Sequence, residues 1–183
     1  MNAKVKIQLS KPSIPLYSAT HVLNACTLVY EAENQLRTLF NQINKATKIV
    51  KTYIKDRGFD SSSFTEIENL IVISIQLSDI KIEDVSNYKG RIKDINKQYD
   101  AGDLHDFFEL AHESITWLDT LCLQIKSEIN TAKEALKENI HAYVFSDIER
   151  LINITEYFAE SNANTFNVES DRYKQEWEAA NNG

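Results

Sequence analysis

Two Glu-x-x-His pairs, Glu109–His112 in ELAHES and Glu138–His141 in KENIHA, are the residues of this 183-residue chain whose type and spacing could hold a metal. Residues three apart share one face of a helix. A carboxylate-bridged di-metal bundle takes such a pair from each of two helices and a lone Glu from each of two others. Glu31 or Glu33 could supply a lone Glu, and His105 stands seven before His112. Whether these groups can meet depends on the helices that carry them.

The clearest periodicity belongs to the helix holding the first pair. Leu104, Phe108, Ala111, Ile115, Leu118, Cys122, Ile125, Ile129, Ala132 and Leu136 keep a strict four–three rhythm, the mark of one buried stripe. Asp103 reads as its N-cap, with Asp106 three residues on. In this register Glu109 falls at heptad position b, His105 and His112 at e, Glu138 at c and His141 at f. All lie off the axis, where the sequence keeps Phe, Ile, Leu and Cys. Both pairs also sit on one periodic stretch, 29 residues apart, or roughly 43 Å if helical. The expectation is therefore no metal and no cofactor; His105, Glu109 and His112 read as a polar face.

A first helix should run from about Ser18 to Lys55. Val22, Val29, Leu36, Ile43 and Val50 occupy a, and Ala25, Ala32, Leu39, Ala46 and Tyr53 occupy d. Arg57–Gly58 closes it. Ser63 with Glu66 three on has the form of a capping box opening a second helix. The segment ENLIVISIQLSDIKIEDV that follows alternates as a strand would, whereas as a helix it is apolar nearly all round and belongs in the middle of the bundle. Past it the three–four rhythm either continues to Gln98 or breaks near Ser78 or Gly90, and YDAGD reads as a loop. A last helix restarts at Ser146 with Glu149, and AESNANTFN should end it. Both prolines precede residue 16 and only four glycines occur, so little else interrupts helix.

The fold class expected is all-α: an elongated antiparallel helical bundle of long amphipathic helices with a short extended N-terminal arm. Residues 1–17 form the arm, in which Val5, Ile7 and Leu9 alternate. Residues 18–160 form the bundle, and residues 161–183 a short C-terminal helix or tail. Such long helices leave enough side surface for a homodimer. No h-region of a signal peptide opens the chain, and no run of 18 apolar residues occurs. Cys26 and Cys122 fall on apolar faces and read as buried thiols. These features suit a cytoplasmic protein.

Net charge is −7, which makes a poor general nucleic-acid binder, and acidic outer faces do not suit an anionic membrane. The charge is unevenly spread. Residues 1–57 carry nine Lys or Arg against three acids, residues 58–183 eleven against twenty-four, and Tyr99–Ile125 six acids with no Lys or Arg. There is no Gly-rich phosphate loop, no Cys with a suggestively placed His, and no Arg followed within reach by a His as in an all-helical nuclease. What remains is a surface. Asp103, Asp106, Glu109, Glu113 and Asp119, with Trp117 among them at an outward position, form the expected partner-binding face. The function expected is a non-enzymatic protein-binding protein, an acidic inhibitor of the antitoxin or immunity type. It would block a basic partner such as a nucleic-acid-handling enzyme or toxin. A self-associating structural or assembly subunit and a helical-bundle metal enzyme are the alternatives.

Overall fold

In the computed structural model, which describes residues 15–182, four long helices form an antiparallel bundle. A strand β1 (Leu16–Ser18) leads into α1 (Ala19–Asp56). Next come α2 (Ser63–Arg91), a strand β2 (Gln98–Asp100) and α3 (Ala101–Leu136). A 3₁₀ turn (Ala142–Phe145) then precedes α4 (Ser146–Asn181). The two strands pair antiparallel, Leu16 with Asp100 and Ser18 with Gln98. The expected arm before residue 15 lies outside the described residues. With 38 residues, α1 is about 57 Å long at 1.5 Å per residue.

Helix α1 begins where Ser18, in extended geometry, accepts from the His21 N–H at 3.3 Å. It ends in a Schellman motif. Gly58, at φ +79°, donates to the Lys55 carbonyl (2.9 Å), and Phe59 donates to that of Ile54 (3.3 Å), a geometry that favours glycine. Between these ends the a residues are buried as expected, but Leu39, Ala46 and Tyr53 at d are only half-buried. The deepest second row is e: Cys26, Glu33, Phe40, Thr47 and Ile54. The reason is that α1 packs against α2 and α4 together, so its buried arc is wider than a two-residue seam.

Helix α2 settles the ambiguous segment as helix and corrects its placement. It is not buried all round. Phe64, Ile67, Ile71, Ser74, Ser78 and Val85 face inward, whereas Val72, Ile73 and Ile80 are exposed. Polar side chains thus occupy part of its inner row and large apolar ones its outer row. The helix starts at Ser63 itself, one residue earlier than the expected box implies, and neither Ser62 nor Ser63 caps it; Asp60 instead accepts from the N–H and hydroxyl of Ser62.

All ten expected seam residues of α3 are buried. Its N-terminus lies one turn earlier than expected. Asp100 is the N-cap and accepts from the Asp103 N–H at 3.0 Å, while Asp103 accepts from the Asp100 N–H at 3.2 Å. YDAGD is thus strand and first helical turn. The last helix also differs, because α4 continues unbroken past residue 160 to Asn181. Asn, Ser and Thr each cost only a few tenths of a kcal/mol in a helix. Burial of Phe166 and Tyr173 against Phe108 outweighs them (centroids 6.0 and 5.8 Å). Among the described residues no helix is long and apolar enough to cross a membrane.

Candidate interaction face on helices α2 and α3

The structure divides the six residues expected to meet a partner. Asp106, Glu109 and Glu113 are exposed, and Trp117 is 51% exposed. With Leu110, 55% exposed, they line the outer surface of α3 over about three turns. Asp103 is exposed but serves in the capping box. Asp119 departs from the group: it is half-buried on the side of α4. There burial raises its carboxyl pKa, and the charges of Glu156 and Glu160 push it further up.

Between α2 and α3 runs an open groove of about 460 Å³. Val29 of α1 contributes to it from below, and Tyr88 stacks on Phe107 across it (5.4 Å, 24° between rings). Val85 and Leu110 complete its apolar lining. Lys81, Asp84 and Arg91 stand along the α2 wall and Asp103 and Asp106 along the α3 wall. None of these five makes an ion pair within 4.0 Å among the described residues. Burial, and then the charge of Asp103, raises the Tyr88 phenol to about 12. Sequence reasoning missed Lys81, Tyr88, Phe107 and Leu110. One signal was present: in Phe107–Phe108 consecutive side chains on a helix point about 100° apart, so both cannot join one seam.

Beneath this side of the bundle lies Glu33 of α1, fully buried. Its Oε1 accepts from the Ser114 hydroxyl at 2.8 Å. Ser78 stands beside the carboxyl, yet its Oγ and Glu33 Oε2 make no hydrogen bond. Arg37, one turn on, is turned outward to Asp79 (Nε–Oδ1 2.6 Å). Burial raises the Glu33 carboxyl to about 7, against the opposing pull of the Ser114 bond, the Lys81 charge and Ser78.

The histidines are not a free polar face. His105 Nδ1 lies 2.9 Å from the Ser170 hydroxyl and 3.2 Å from its carbonyl, and His112 Nδ1 bonds the Ala163 carbonyl at 2.9 Å. Both rings bridge α3 to α4. His105, Asp106 and Glu109 can bring ligand atoms within 4.8 Å of one another, but with Nδ1 engaged on α4 only the His105 Nε2 faces that cluster, 3.7 Å from Glu109. Glu138 and His141 lie past the end of α3 and are exposed. The chain reverses there, His141 accepts from the Tyr143 N–H, and the two Glu-x-x-His pairs are not brought together. Cys26 and Cys122 are buried free thiols, raised by burial to about 11 and about 12 and so held as unreactive thiols.

Compared with known proteins, the chain matches no family model, no curated protein and no solved structure.

Proposed function

We propose that this chain is a protein-binding protein that takes a basic partner on the outer face of α3. The observation that carries the reading is the setting of Trp117 and Leu110, both more than half exposed, among Asp106, Glu109 and Glu113 on a stretch with no Lys or Arg. An apolar anchor ringed by charge of one sign gives binding energy at its centre and partner choice at its rim. An acidic inhibitor, antitoxin or immunity-type protein acting in the cytoplasm works this way when it covers the cationic channel of a nucleic-acid enzyme or toxin. Capture on the purified protein tests it, beside the charge-reversed Asp106→Lys/Glu109→Lys/Glu113→Lys chain. One basic protein retained by the wild type, released by salt and absent from the reversed chain is the expected result. Equal retention by both chains would sink the reading.

Self-association is the second reading, favoured by Val72, Ile73 and Ile80 on the outer row of α2, since apolar residues clustered on one exposed face mark interfaces. Sedimentation equilibrium decides it: a dimer that Ile80→Glu converts to monomer supports it, and a monomeric wild type removes it.

A further inference from the structure

We infer that the α2–α3 groove seats an amphipathic helix of the partner, apolar stripe inward and Lys/Arg row along α3. This rests on the basic-partner reading above and names the mode of contact.

The groove has the cross-section such a helix needs. Its floor and sides are apolar from three helices: Val29, Val85, Tyr88, Phe107 and Leu110. The apolar path continues beyond it. The Tyr88–Phe107 stack and the placing of Ser78 and Ser114 on one Glu33 carboxyl fix the antiparallel register of α2 and α3. That register sets Leu77 level with Trp117 and Ile73 level with Leu121. Leu110 and Trp117, seven apart, share one column of α3. From Phe107 to Leu121 the path runs about 21 Å, four turns of a docked helix.

The walls are charged and, among the described residues, not ion-paired. On the α3 side Asp103, Asp106 and Glu113 present only negative charge along this path, so the facing edge of the occupant carries Lys or Arg. On the α2 side Lys81 and Arg91 flank Asp84, so the opposite edge is mixed or acidic. These groups stand across the groove without closing on one another, which leaves their charge for a third body. The occupant is a helix and not an extended strand for a plain reason. A strand draws its affinity from main-chain hydrogen bonds to a sheet edge, and both walls here are helices whose main chain is already bonded within itself. A helix brings its own main chain satisfied and needs only side-chain contact.

Two synthetic peptides of about eighteen residues, identical in Leu, Lys and Ala content, make the test. One has Leu at i, i+3, i+4 and i+7 so that a single apolar face forms; the other is scrambled. Titration calorimetry measures affinity and amide chemical shifts locate the contact. The patterned peptide is expected to bind at least tenfold more tightly and to shift residues around Val85, Tyr88, Phe107 and Leu110. Leu110→Glu, at an exposed position and with its fold checked by circular dichroism, is expected to abolish that gap. Equal binding of both peptides, with shifts confined to Asp106, Glu109 and Glu113, would overturn the groove and leave the acidic face standing. A gap that survives Leu110→Glu overturns the groove as well. Binding of neither peptide overturns the basic-partner reading itself.

Discussion

Helix α3 is held on one flank and left open on the other. Toward α4 its seam is apolar from Leu104 to Leu136, and the polar groups beside that seam are joined across it, with Asp119 the exception. His105 meets Ser170, His112 meets the Ala163 carbonyl, Lys126 meets Glu156 at 2.5 Å, and Lys133 meets Glu149. Toward α2 the pattern reverses. Serines and a carboxyl lie inside, isoleucines lie outside, and five charged groups line a groove without pairing. Contacts that are already complete contribute stability and offer a partner nothing. Incomplete ones weaken the fold locally and remain available for binding. The difference supports the proposal of a scaffold in α3–α4 and a recognition surface on α2–α3.

The largest test of this contrast uses the adjacent phenylalanines. Phe108 is 3% exposed and stacks on Tyr173, so Phe108→Ala should cost about 3–5 kcal/mol. Phe107, half-buried in the groove, should cost about 1–2 kcal/mol when cut to Ala. Urea unfolding measures both, and equal losses would erase the distinction between the flanks.

Next in size is Glu33→Gln. A carboxyl raised from 4.5 to about 7 by folding is bound by its proton more tightly in the folded chain. Its presence therefore lowers stability as pH rises from about 4.5 to about 7, and the loss is complete above that. Such a shift corresponds to about 3 kcal/mol. Glu33→Gln should recover up to that amount at pH 8 and little at pH 4. Thermal melts of both chains across this range check the sign, and a gain that grows toward acid would contradict the buried, unpaired carboxyl.

On the closed flank, His112→Ala removes one bond between helices and should cost about 1 kcal/mol, read by urea unfolding at pH 8. The smallest effect on stability belongs to Trp117→Ala, within about 0.5 kcal/mol. The same change should weaken capture of the basic partner by about 2 kcal/mol or more. Trp117 would lose its assigned role if capture were unchanged.

How much of this could be read in advance follows from what each feature depends on. The α3 stripe was legible in full because its burial follows one regular rhythm that hydropathy reports. The α1 stripe was displaced at d because two neighbours share its buried arc, and so the burial of Glu33 at e was not foreseen. In α2 hydropathy misleads outright: Ser74 and Ser78 are inside while Ile73 and Ile80 are outside, Ser78 beside the Glu33 carboxyl and Ser74 with its hydroxyl bonded back to the Leu70 carbonyl. The end expected for α4 came from local propensity, which the burial of Phe166 and Tyr173 overrode. At the site, Asp106, Glu109, Glu113 and Trp117 needed only a count of charge and one helical register. Lys81, Tyr88 and Phe107 needed the pairing of two helices, which no single segment encodes.

One corner of the molecule closes only after the rest has assembled. Tyr17 donates to Glu176, and His21 Nε2 meets the Tyr173 hydroxyl at 2.5 Å, across 159 and 152 residues of chain. The α1–α2 and α3–α4 hairpins close over short connections, so they are kinetically near, whereas this clasp must wait for the longest loop to shut. It is expected to form last and open first. Amide protons around Ala19–Ala25 and Phe166–Tyr173 should then exchange together, ahead of those in the middle of α3, so that two segments far apart in sequence breathe as one unit.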